Sequence, residues 1–82
     1  HFPEPTFDGA FSVLRHRIVG EKHLKLTLVK GDAEIEAIAF NIDVDAWVEA
    51  PPSGIHALFR LDVNEYRGAR TLQLVIQSFW RL

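Results

Sequence analysis

The chain has 82 residues, 48% of them apolar and 24% charged, with a net charge of −2 and no cysteine. That length allows one domain with a modest core, and the lack of cysteine excludes a disulfide framework and any thiolate metal site. No apolar run approaches the ~20 residues that cross a bilayer, no signal peptide opens the chain, and the mild acidity argues against general affinity for polyanions.

We therefore expect a single domain, residues 1–82, with no membrane association, and the lack of an initiator methionine leads us to expect that it is excised from a larger cytoplasmic protein. Its charge is segregated. Residues 11–30 hold five Lys/Arg and one acid, whereas residues 31–50 hold six acids and no Lys/Arg. Residues 51–82 return to four arginines against two acids. Screening beyond roughly 10 Å lets a basic strip act locally despite a distant acidic one.

In chain order, "AFSVLRHRIV" (residues 10–19) reads as a strand with an irregularity. Phe11 and Val13 share one parity, while Leu14 and Ile18 need the other, so an extra residue near Val13-Leu14 would bend the strand. Gly20 permits a short turn into "HLKLTLV", where Leu24, Leu26 and Leu28 alternate with Lys25 and Thr27. Arg15 and Arg17 then lie on the outer face beside Thr27 and Lys25. A two-residue turn at Gly31-Asp32, with glycine in the positive-φ position, leads into "AEIEAIAF". Its register pairs Leu28 with Ile35, Leu26 with Ala37 and Leu24 with Ala39, and puts Lys25 beside Ile38 and His23 beside Phe40.

"NIDVDAWVEA" breaks the alternation. Asn41 or Asp43 is a candidate cap for a short helix whose Val44, Trp47 and Val48 share a face, and Pro51-Pro52 ends it. A last hairpin around Arg67-Gly68 pairs Val63 with Leu72, Leu61 with Leu74 and Phe59 with Ile76. The sum is an all-β chain of five strands with a short helix between strands three and four. Closure removes sheet edges, and the oligonucleotide/oligosaccharide-binding (OB) fold, a Greek-key barrel, is the best match. An SH3-like barrel or an open sandwich is the alternative.

Catalysis finds no support. Ser-His-Asp spacing, a glycine-rich phosphate cradle and HExxH are all missing from the sequence. The histidines at 1, 16, 23 and 56 are scattered rather than spaced as ligands. The acids of residues 32–49 read as a solvated face and helix-start charges before they read as a cation site.

Binding is better supported. OB folds hold single strands on the outer face of strands two and three, between the turns joining strands one to two and four to five. Those places hold "VGEKHLK" and "NEYRGAR". Lys22, Lys25, Arg67 and Arg70 are candidate phosphate contacts, and His23, Phe40 and Tyr66 are candidate stacking platforms, worth about 1–3 kcal/mol per base. Arg15 and Arg17 join the same face. Each has a plain structural alternative. Tyr66 could pack on the barrel end, and Phe40 could lie under the helix that carries Trp47. Arg70 could pair with Glu65, the two arginines of strand one could be only its solvated side, and His16 reads as a satisfied core histidine. Trp80 reads as core or as an interface residue.

"PEPTFDGAF", "RIVGEKHLKLTL", "IEAIAFN" and "FRLDVNEYRGARTLQLVIQ" together resemble the OB domain of the bacterial single-stranded-DNA-specific exonuclease RecJ. The similarity runs from about Pro3 to Gln77, and "SFWRL" falls outside it. The resemblance implies a domain that holds single-stranded DNA for a 5′-to-3′ exonuclease of repair and recombination. The nuclease's manganese or magnesium would belong to a DHH catalytic core whose motifs are missing here, so no cofactor and no nuclease activity are expected of this chain. Lys22, His23 and Lys25, with Tyr66, Arg67 and Arg70, match the family's loop motifs. A second possibility is an architectural domain that completes the nuclease or meets a partner such as single-strand-binding protein.

Overall fold

A long strand can serve two neighbours only if it bends, and β1 (Phe7–Val19) does so at one extra residue. In the computed structural model, which describes residues 5–82 apart from the side chains of Asn64 and Tyr66, its first half pairs with one strand and its second half with another. The register against β2 (His23–Lys30) shifts between Val13 and Arg15, which leaves Leu14 as the extra residue. Before it, Phe7 to Ser12 pair with β4 (Gly54–Tyr66). β3 (Ala33–Ala39) follows β2 through Gly31, whose φ of 63° is the positive value expected.

Helix α1 (Val44–Glu49) comes next, then β4 and β5 (Ala69–Arg81). The strands close in the order β1-β2-β3-β5-β4, with β3 and β5 parallel and every other pair antiparallel. This is the five-stranded barrel with one helix between β3 and β4 that the strand pattern anticipates. The pairings expected for the two tight hairpins are present, from Leu24 with Ala39 to Val63 with Leu72, except that β3 ends at Ala39, so His23 and Phe40 meet through their rings and not as a strand pair.

The barrel interior is filled by Leu24, Leu26 and Leu28 of β2, facing Ala37 and Ala39 of β3, with Ile55, Leu74 and Ile76. Each large aliphatic side chain buried there contributes about 1.5–3 kcal/mol. Small alanines opposite large leucines let the two strands curve tightly. Asp43, not Asn41, caps the helix: its Oδ1 accepts the Ala46 N–H at 3.2 Å. The helix closes one barrel end with Trp47, which is 3% exposed.

Several residues depart from the sequence expectation. Leu14 satisfies the bulge but is exposed, because the extra residue of a bulge loses its place in the alternation. Val48 is exposed as well, since a six-residue helix buries little beyond Trp47. His16 is exposed rather than core, yet it has a partner: the Trp47 indole Nε1–H donates to its Nδ1 at 3.0 Å. Trp80 is not core either; it lies 53% exposed, stacked on His56 with ring centroids 4.8 Å apart. The β4–β5 hairpin outruns its neighbours, so Leu61, Val63 and Leu72 emerge beyond the core, Val63 at 60% exposure.

Candidate nucleic-acid interface

Alternation on β2 turns Lys25 and Thr27 outward, and the neighbouring strands extend each into a row. Arg17 pairs with Lys25, Lys25 with Ile38, and Ile38 with Val75. One step along, Arg15 pairs with Thr27, Thr27 with Glu36, and Glu36 with Gln73. Arg15, Arg17 and Lys25 thus line one shallow depression, with Thr27 and Glu36 in its floor. Thr27 is buried there, and its hydroxyl donates to Glu36 Oε1 at 3.1 Å. The guanidinium groups of this face are well placed for phosphate oxygens. The Glu36 carboxylate opposes them.

The β1–β2 turn stands at the end of this face where β3 finishes, because Leu24 pairs with Ala39. Exposed Lys22 lies in that turn, and its carbonyl accepts the Ile42 N–H at 2.9 Å, tying the turn to the segment before α1. His23 Nδ1 accepts from the Asn41 N–H at 3.4 Å. Phe40 meets the His23 ring edge to face at 5.1 Å and is 49% exposed. It therefore does not lie beneath the helix: the chain turns at Asn41, whose φ is 55°, before α1 begins.

The β4–β5 turn lies past the other end of β3, since β5 runs parallel to it and Gln73 is level with Glu36. Tyr66 pairs with Ala69, leaving Arg67 and Gly68 as a two-residue turn. Both have positive φ, 52° and 80°, as a type I′ turn requires. Arg67 thus occupies a backbone state that favours Gly or Asn. Arg70 Nε donates to Glu65 Oε1 at 3.4 Å, and both groups are exposed, so the pair contributes ~0–1 kcal/mol. The Tyr66 side chain lies outside the described residues.

The structure therefore gathers Arg15, Arg17, Lys22, His23, Lys25 and Phe40 along one face and sets Arg67 and Arg70 on a hairpin beyond it. Two features of this surface were missed by the sequence reading. Glu36 stands beside Thr27 on this face, a place that the hairpin register already implied although the cations alone drew the reading. A second groove also opens next to Phe40, between α1 and β5.

A small closed barrel whose helix joins β3 to β4, with a cationic outer face between two turns, has the form of an OB module. The model of the RecJ OB domain family matches residues 1–78, and the chain belongs to that family. It is 45% identical over 83 residues to the single-stranded-DNA-specific exonuclease RecJ of Dickeya dadantii, covering 99% of this chain. Identity to the same exonuclease of Salmonella typhimurium is also 45%, and to that of Escherichia coli 43% over 81 residues. The chain spans 14% of the length of each of these relatives. The family match ends at residue 78, so Trp80 lies beyond it.

Proposed function

We propose that this domain binds single-stranded DNA across the outer face of β2 and β3 and holds it for the catalytic core of a RecJ-type 5′-to-3′ exonuclease acting in repair and recombination in the cytoplasm. The observation that carries the reading is the adjacency of Arg15, Arg17 and Lys25 in one depression, at the end of which half-buried His23 and exposed Phe40 stand as a ring pair. Cations that follow the backbone, combined with flat groups for the bases, are what binding of a single strand needs. Manganese or magnesium chemistry is assigned to the parent's catalytic core. Among the described residues no three His, Asp or Glu side chains gather to hold a metal ion, and no metal-dependent step is derived from this chain.

Fluorescence anisotropy with labelled single- and double-stranded oligonucleotides at two salt concentrations tests the proposal. Binding that prefers single strands and weakens steeply with salt is the expected result. Absence of binding at low salt would overturn it.

A second reading is favoured by a different observation. Leu61, Val63 and Leu72 are exposed on the overshooting hairpin, and Leu61 and Leu72 line one groove with exposed Phe7 of β1, a surface suited to the parent's core or to a partner such as single-strand-binding protein. In that reading the domain is architectural, and substitution of Lys25 leaves nuclease activity on single strands untouched.

A further inference from the structure

We infer that the groove between α1 and the end of β5 is a nucleobase subsite, in which one unstacked base lies against Phe40 and is read at its edge by the carboxamides of Asn41 and Gln77. The subsite presupposes the single-strand reading of the β2–β3 face and extends it past the β1–β2 turn.

Register establishes the continuity. Ala39 and Ile76 are the last paired residues of β3 and β5, so Phe40 and Gln77 stand one step further at the same level. By alternation Phe40 belongs to the outer face, the face of Ile38 and Val75, and Gln77 joins it there by lining the same groove. They continue the line that begins at His23, whose ring already contacts Phe40.

A bulge accounts for the position of Gln77. Leu58 pairs with Ser78 and Phe59 with Ile76, which leaves Gln77 as the extra residue of β5. Bulges re-aim side chains and recur beside functional sites. Gln77 lines the groove together with Phe40 and Asn41, over a floor that includes Trp47, Ile76 and Phe79. The volume is about 360 Å³, near the lower end of small-molecule sites. That suits one ring system and not a run of them.

The chemistry selects the base rather than the phosphate. A nucleobase has apolar faces and an edge of mixed donors and acceptors, and a carboxamide offers both kinds of group. The floor is apolar, and the two charged residues of the lining, Asp43 and Arg81, are of opposite sign, so the groove as a whole carries no net attraction for a phosphate. Phosphates are better served a few residues away, along Arg17 and Lys25. Backbone on the cationic rows and one base in the groove is the division of labour that results.

Amide spectra of the ¹⁵N-labelled 82-residue chain test this with three probes: a thymidine pentamer, an abasic pentamer with the same phosphates, and thymidine monophosphate. The thymidine pentamer is expected to move the side-chain amide signals of Asn41 and Gln77, assigned with Asn41→Ala and Gln77→Ala. The abasic pentamer is expected to move backbone signals around Arg17 and Lys25 and leave those carboxamides in place. If both pentamers perturb only the Arg17–Lys25 region, the subsite is wrong and the DNA-binding face survives. If neither perturbs the chain, both fail. A shift of the carboxamides with the monophosphate and not with the pentamer would make the groove a free-nucleotide pocket and overturn its place on the strand's path. Phe40→Ala should weaken the thymidine oligomer about fivefold or more while leaving the abasic one unchanged; equal loss on both would also count against the subsite. Phe40 and Gln77 are exposed, and a thermal melt of each variant checks that the fold is kept.

Discussion

The indole Nε1–H of Trp47 donates to Nδ1 of His16 at 3.0 Å, and the rings meet edge to face with centroids 5.5 Å apart. This bond ties the only helix among the described residues to the strand that carries Arg15 and Arg17. A buried indole whose N–H loses its acceptor costs about 1–3 kcal/mol. His16→Ala should therefore lower stability in urea by about 1 kcal/mol. In combination with Trp47→Phe its effect should be less than additive, because the shared bond can be lost only once. Strict additivity would show that the bond contributes nothing.

Lys25 and Arg17 stand side by side on the outer face. Replacing either by alanine should weaken single-strand binding uniformly across base sequences. Each loss should also reduce the slope of log affinity against log salt by up to about one, the share of one phosphate contact. Anisotropy titrations at three or more salt concentrations read both quantities. An unchanged slope in both variants would remove these rows from the interface.

Glu36 is the acid at the centre of the same face. For a phosphate about 7 Å away in water, its repulsion amounts to about 0.6 kcal/mol. Glu36→Gln should tighten single-strand binding roughly threefold on that basis, since glutamine keeps an acceptor for the Thr27 hydroxyl. A variant that binds no better, or worse, would mean that the strand does not cross this position.

Arg67 holds φ at 52° in the β4–β5 turn. Left-handed backbone costs a non-glycine residue roughly 1–2 kcal/mol, and Asn-Gly is the preferred pair for such a turn. Arg67→Asn should therefore raise the midpoint of thermal unfolding while lowering DNA affinity. Opposite signs in the two assays are the diagnostic outcome, marking a side chain kept for binding at the expense of its turn. A variant that is both less stable and unaltered in binding would assign Arg67 a structural part.

Leu26 is 1% exposed in the barrel centre. Leu26→Ala should cost about 2–5 kcal/mol in a denaturant titration, through lost transfer energy and the cavity left behind. A cost under about 1 kcal/mol would contradict a closed, well-packed barrel.

Much of this molecule is legible before folding. Alternation in "HLKLTLV" and "AEIEAIAF" sets which leucines face inward, and Gly31 and Gly68 mark turns that need positive φ. The parity conflict between Val13 and Ile18 discloses the bend in β1. These are local properties, because side-chain direction in a strand follows from the residue count and turn type from a few backbone angles. The cations of the candidate face were equally visible, since they lie on strands and turns whose outward positions that count assigns.

Other features depend on how the strands close around one another. Whether Phe40 would be covered by the helix depended on how the chain turns at Asn41. Trp80 found His56 only because β4 and β5 pair along their whole length. Leu61, Val63 and Leu72 alternate like core residues but emerge beyond the barrel, as the length of a hairpin does not say where its neighbours stop. His16 met Trp47 across 31 positions of sequence. Residue order alone was enough for the hairpin registers, their turns and the outward cations of β1 and β2. Exposure, the groove beside Phe40 and the bond that holds the helix came from barrel closure, in which residues far apart in the chain share one surface and no local period records their distance.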